Sequence, residues 1–247
     1  MSRIHATYRL APDAGEPAAV AEALAWEQTV EAVAEIVPET VREQWVGRVE
    51  AIRPAAEGAH ELEISYAAEL AEGRLDALLH LLYGNASLYP GVSLAGAAIP
   101  GEFATALGGP QLGVSGLRKL IGVYQRPLLA TALKPRGADI EHLANLAQHF
   151  ARGGGDLLKD DQNLAEADFE AFKRRVDTCA RAVERGNAAG AGHCAYFPHI
   201  SGGGDELRRR AEWVRALGLR GVLMCPLAVG LEQARAVSRE FELAWMA

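Results

Sequence analysis

From Gly109-Pro110 onward the chain repeats one pattern four times: a short apolar run, a polar loop, and an amphipathic helix. "PLLATALKP" precedes helical "DIEHLANLAQHFARGG", and "GDLLKDD" precedes "EADFEAFKRRVDTCARAVERGN". "GHCAYFP" then leads into "GDELRRRAEWVRALGL", and "GVLMCPL" into "GLEQARAVSREF". Apolar runs this short are strands buried on both faces, and buried strands joined by helices lie parallel. The final "LAWMA" reads as the start of a fifth strand. A closed barrel of eight such units takes ~250 residues, about twice the length that remains after the first domain. The expectation is therefore an open α/β sheet or a (β/α) barrel cut at its middle.

The first part has another rhythm. "RIHATYRL", "QWVGRVEAI" and "HELEISYA" alternate as strands, whereas "EPAAVAEALAWEQ" and "GRLDALLHLLYG" have helical spacing and "GVSLAGAAIP" closes with a strand. A β-α-β-β-α-β order predicts a ferredoxin-like α+β domain with helices on one face of an antiparallel sheet. The fold class expected is thus α/β: an N-terminal α+β domain over residues 1–115, then a partial (β/α)8 TIM-type barrel of four to five units over residues 116–247.

Composition narrows the function classes. With 49% hydrophobic residues among 247 the chain can bury a sizeable core, yet no apolar stretch approaches the ~20 residues of a membrane span. The start has no secretory signal, so the cytoplasm is the expected location. A net charge of -7 without a basic block offers nucleic acid no electrostatic footprint. The dense run "LRRRAEW" reads as a solvated helix face. Cys179, Cys194 and Cys225 are odd in number and without ligand spacing, so they read as reduced, mostly buried thiols.

In parallel α/β architectures ligands bind at the C-terminal strand ends. Those ends carry Lys134 and Arg136, then Lys159, Asp160, Asp161 and Gln162, then His199 and Ser201. Lys159 and Asp161 are two apart and project to one side of an extended segment, with Asp160 facing away. "KDDQN" by itself is either a solvated turn or a cation site. Mg²⁺ prefers hard oxygen ligands. Asp161 suits it, whereas Lys159 would need conversion to a carbamate by CO₂. The "SGGG" after His199 belongs to no phosphate-binding motif and reads as a flexible loop.

"TALKPRG" followed by "GGGDLLKDDQN", together with "WEQTVE" and "LLYGNASLYPGVSLAGAAIP", resembles the RuBisCO large subunit. The likeness is closer still to its non-carboxylating relatives, the RuBisCO-like proteins of form IV, and covers essentially the whole chain. It implies a C-terminal (β/α)8 barrel and an antiparallel homodimer with active sites shared between subunits. Lys159 resembles the carbamylated lysine and Asp161 an aspartate that coordinates Mg²⁺. Lys134 resembles the lysine that handles protons around an enediolate, and Arg136 replaces a second lysine there. Glu27 and Asn85 resemble the residues lent to the neighbouring subunit's site. The catalytic set implied is thus Lys134, Lys159, Glu27 and Asn85, with Arg136 and His199 for substrate and carbamylated Lys159, Asp161 and Gln162 for Mg²⁺.

Two departures qualify the implied activity. Gln162 stands where a second acidic ligand is expected, which weakens the Mg²⁺ site. The sequence also stops at what resembles the fifth barrel strand. The leading expectation is Mg²⁺-assisted enolisation or isomerisation of a phosphorylated ketose-type sugar rather than CO₂ fixation. The alternatives are a truncated, catalytically incompetent form acting as a partner subunit, a ribulose-bisphosphate carboxylase, and an unrelated sugar- or nucleotide-binding α/β protein.

Overall fold

The structure is a computed structural model that describes residues 2–109, 111–190 and 192–247. Two compact units divide it, Met1–Gly109 and Pro110–Ala247.

In the first unit, β1 (Arg3–Leu10), α1 (Pro17–Glu27), α2 (Glu39–Trp45), β2 (Arg48–Pro54), β3 (His60–Ala67), α3 (Leu75–Tyr83), β4 (Val92–Ala98) and α4 (Gly101–Leu107) follow in order. The strands form an antiparallel sheet in the order β2-β3-β1-β4. Period-two alternation sends Ile4, Ala6, Tyr8 and Leu10 of β1 to one face, beside Leu62, Ile64 and Tyr66 of β3. Leu24 of α1 and Leu78, Leu81 and Leu82 of α3 close over that face. The α+β reading of the pattern therefore holds, with one correction. Gln44 and Trp45, read as the start of a strand, are the last turn of α2. Pro38 and Glu39 start a helix there, the backbone turns extended at Val46, and β2 begins after Gly47. A Cβ on Gly47 would lie 2.9 Å from the Ala25 carbonyl and from the Tyr66 ring, so the chain crosses α1 at the one residue that fits.

The second unit begins with α5 (Gly113–Ile121) and continues through β5 (Ala130–Leu133), α6 (Ile140–Arg152), β6 (Leu157–Asp160), α7 (Phe169–Ala189) and β7 (Ala195–Phe197). It ends with α8 (Gly204–Ala216), β8 (Gly221–Leu223), α9 (Pro226–Val229), α10 (Leu231–Glu240) and β9 (Ala244–Met246). β5, β6 and β7 pair in parallel, as do β8 and β9. A parallel bridge between His199 and Leu223 joins the two groups, so the strands run in sequence order like part of a barrel wall. Side-chain caps start the crossover helices: Asp139 accepts from the His142 N–H and Asp168 from the Ala171 N–H, each at 2.7 Å. Leu158 and Tyr196 from the strands pack with Leu143, Ala147, Phe172, Val176, Leu207 and Val214 from the helices. Leu157 and Phe197, on the opposite face of the strands, join a smaller cluster with Ile121 of α5.

Arg208, Arg209 and Glu212 of the run "LRRRAEW" are exposed on the solvated face expected of it, but Arg210 is not. Arg210 is 3% exposed, reaching Glu206 at 2.8 Å and the Glu166 carbonyl at 2.6 Å. Position on α8 opposite α7 buries it, and the carboxylate and carbonyl make that burial tolerable. Among the described residues no helix is long and apolar enough to cross a membrane.

Candidate active site at the ends of two parallel strands

β5 and β6 lie side by side in a register that sets Ala132 opposite Lys159 and Leu133 opposite Asp160. The residues just beyond, Lys134 and Asp161, therefore leave adjacent strands at the same level. Their side chains meet: Lys134 Nζ stands 3.2 Å from Asp161 Oδ2. Asp161 Oδ1 accepts from the Asn163 N–H at 3.0 Å and from Asn163 Nδ2 at 2.9 Å. The Asn163 amide first, and Lys134 with it, hold the Asp161 carboxyl below its ordinary range. Lys159 points to the same side of β6, and its ammonium donates to the Asp160 carbonyl at 3.2 Å. Arg136 and Gln162 are exposed on the loops beyond the two strands.

Asp160 faces the other way, as the period of two requires, into a layer fully closed to solvent. Its carboxylate pairs with Arg175 of α7 and accepts from the Tyr196 hydroxyl at 2.7 Å and from the His199 backbone N–H at 2.8 Å. Burial pushes the Asp160 carboxyl up, and Arg175, His199 and Tyr196 draw it back. Burial also opposes the Arg175 charge, but Asp160, Tyr196 and Glu166 hold it and raise that group above its ordinary value. The structure puts His199 in this layer: the residue is 5% exposed, with Nδ1 3.4 Å from the Leu164 carbonyl. Burial lowers its pKa, which favours the neutral ring.

Glu27 and Asn85 meet inside the first unit. Asn85 Nδ2 donates to Glu27 Oε1 at 3.1 Å, although 58 residues separate them. Gln28 makes the encounter possible. Its Nε2 donates to the carbonyls of His80 (3.1 Å) and Leu81 (2.9 Å), while its Oε1 accepts from the Ala86 N–H at 2.7 Å. The end of α1 is thereby stitched to the end of α3. Neither Gln28 nor Arg175 stood out in the sequence, because each acts through partners brought in by the fold. An Arg and an Asp inside otherwise apolar layers were the only available signal.

The donor set tests whether Mg²⁺ fits. An ammonium on Lys159 cannot be a ligand, Asp161 is engaged by Lys134, and Gln162 supplies a neutral amide. Among the described residues no three His, Cys, Asp or Glu side chains gather as a metal site. The set becomes adequate when Lys159 carries a carbamate, which exchanges a positive charge for a negative one and adds hard oxygens. The cysteines offer no nucleophile in the buried layers, since burial pushes the Cys179 and Cys194 thiols up to about 12.

A parallel sheet with helices outside it and charged side chains at its C-terminal strand ends defines a barrel-type α/β protein, here joined to an antiparallel α+β unit. The chain belongs to the RuBisCO large-chain family: the family described as "Ribulose bisphosphate carboxylase large chain, catalytic domain" matches residues 113–246. Ribulose bisphosphate carboxylase-like protein 1 of Rhodopseudomonas palustris is 42% identical over 97% of this chain and 66% of its own length. A 5-methylthioribulose-1-phosphate isomerase of Rhodospirillum rubrum is 34% identical over 97% of this chain and 64% of its own length. The chain thus spans just under two thirds of each relative. The crystal structure of a Rubisco-like protein from Rhodopseudomonas palustris superimposes with a TM-score of 0.90 at 39% identity, covering 99% of this chain and 69% of that one.

Proposed function

We propose that this chain is a RuBisCO-like protein whose chemistry is enolisation or isomerisation of a phosphorylated ketose-type sugar, not CO₂ fixation. The observation that carries the reading is the Lys134–Asp161 pair beside Lys159 at the ends of β5 and β6. In the proposed site the carbamate of Lys159, Asp161 and Gln162 hold Mg²⁺. The ion, when bound, supplies Lewis-acid polarisation of the substrate carbonyl. Asp161 would serve the ion, and its pairing with Lys134 at 3.2 Å sets that lysine beside the same strand end. Lys134 is proposed as the base that takes the proton from the carbon next to the carbonyl, and the C–H electron pair passes into the enediolate. Return of that proton to the former carbonyl carbon, with the neighbouring hydroxyl proton passing to the former carbonyl oxygen, completes an isomerisation. Exposed Arg136 is proposed to bind a substrate phosphate. His199, implied by the resemblance to bind substrate, lies in the closed layer behind the site, so its proposed part is to hold the end of β6 through its N–H on Asp160. Glu27 and Asn85 are proposed to complete the site of a second subunit in a homodimer.

Sequence likeness to the Rhodospirillum rubrum isomerase supports a sugar-phosphate substrate. Gln162 supports a weaker metal site than two acidic ligands would give, and Arg136 a substrate contact of different shape from a lysine.

The test is solvent exchange. A phosphorylated ketose incubated with the protein, Mg²⁺ and bicarbonate in deuterated water should gain deuterium at the carbon next to its carbonyl. Incorporation should fall by at least ~10²-fold in Lys134→Met, the scale of general acid-base catalysis. Fixation of labelled CO₂ into product, or exchange that survives Lys134→Met, would overturn the reading.

A further inference from the structure

The loop from Asp161 to Asp168 carries the proposed metal donors, yet it owes its shape to side chains behind it. We infer that Arg175 and Arg210 are positioning residues that clamp this loop at both ends and so hold Asp161 and Gln162 where a divalent cation would sit. What the loop holds rests on the metal reading above, whereas the clamp stands on geometry alone.

Arg175 is 2% exposed and spends its whole guanidinium on the loop and its roots. Nη1 pairs with Asp160, the last residue of β6, and reaches the Tyr196 hydroxyl of β7 at 3.3 Å. Nη2 donates to the Leu164 carbonyl at 3.3 Å and to Glu166 Oε2 at 2.9 Å, while Nε donates to Glu166 Oε1 at 2.5 Å. One planar fork therefore joins the strand end before Asp161 to two points after Gln162. Arg210, from α8, fixes the same far end by donating to the Glu166 carbonyl at 2.6 Å. Between the anchors, Asn163 and the Leu164 N–H (2.9 Å) bond Asp161 locally, and from outside the loop Lys134 reaches Asp161 at 3.2 Å and His199 Nδ1 lies 3.4 Å from the Leu164 carbonyl. Groups behind metal ligands govern how well those ligands are aimed, typically by 10- to 100-fold in affinity.

Replacing Arg175 would leave Asp160 buried without its cation and risk unfolding. Glu166→Ala instead removes the carboxylate by which Arg175 holds the far end, Arg210→Lys weakens the hold on the residue 166 carbonyl, and both keep the Asp160–Arg175 pair. In the full chain without metal, amide hydrogen exchange at residues 161–166 should quicken about 10-fold in Glu166→Ala, the core of α7 and β6 should keep its rate, and Mg²⁺ measured calorimetrically in bicarbonate should bind ~10-fold more weakly. Glu166→Gln, which keeps an acceptor for Arg175, should restore part of both. Exchange at the native rate, a rise spread evenly over the whole unit, or a faster loop with unchanged Mg²⁺ affinity would each overturn the inference. A native chain that binds no Mg²⁺ in bicarbonate while the loop quickens in Glu166→Ala removes the metal reading and supports the clamp.

Discussion

The amide of Gln28 makes three hydrogen bonds from a side chain only 9% exposed, two to the closing turn of α3 and one to the Ala86 N–H. Removing it strands buried polar groups, each costing ~1 to 3 kcal/mol when left unpaired. Gln28→Ala should lower the unfolding free energy of the first unit by about 2 kcal/mol in urea titration. Gln28→Glu, which keeps the acceptor and loses both donors, should fall in between. A native-like midpoint in Gln28→Ala would show that water replaces the stitch. At this scale the sequence named Glu27 and Asn85 through resemblance but passed over the residue that joins them. A glutamine at a helix end has no pattern of its own, and only its partners give it meaning. Asp160 is the converse, since alternation along β6 already set it apart from Lys159 and Asp161.

Helix α7 passes α6 so closely that a Cβ on Gly186 would stand 2.5 Å from the Gln148 carbonyl and 2.7 Å from the Ala151 methyl. Glycine inside a helix costs roughly 1 kcal/mol relative to alanine, and here the cost is offset by the approach it permits. Gly186→Ala should therefore destabilise the second unit by about 1 to 3 kcal/mol despite its better helix propensity, because the displaced atoms are backbone of α6 and cannot rotate away. Denaturant melts of the two forms decide the sign, and a stabilised variant would mean that the seam is soft. The elements themselves were largely legible, since apolar spacing of two or 3.6 marks which face is buried. The exceptions are α4, α5 and α9, for which no helix was read, and α2, whose last residues continue an alternating run into β2. Alternation persisted across Val46 and Gly47, and only the crossing over α1 shows where the backbone changes state.

Over the whole chain, acid undoes the carboxylates held below their ordinary range, while Asp160, which burial raises, acts the other way. Asp156, with a side chain 2% exposed, pairs with Arg126 at 2.6 Å and accepts from the Leu129 N–H at 2.7 Å, tying the start of β6 to the segment before β5. Arg126 first, and Leu129 with it, lower its pKa. A depressed carboxyl contributes stability that is fully present above the unfolded value, about 3.9, and lost as pH falls through the folded one. Glu166 and Asp161 are lowered as well and act in the same direction. Thermal midpoints should thus fall as pH drops below about 4, the ordinary carboxylate range. Asp156→Asn should be less stable than the native chain at neutral pH and converge with it in acid. Parallel curves would remove Asp156 from the account. By itself the sequence determined the order of the strands and of the longer helices and the residues at the β5 and β6 ends, because these arise from local periodicity and from motifs contiguous in the chain. Tertiary structure alone decided that Lys134 pairs with Asp161, that Arg175 and Arg210 converge behind their loop, and that Gln28 brings Glu27 to Asn85. Each of those contacts joins residues distant in sequence, and burial chooses such partners through the packing of whole elements.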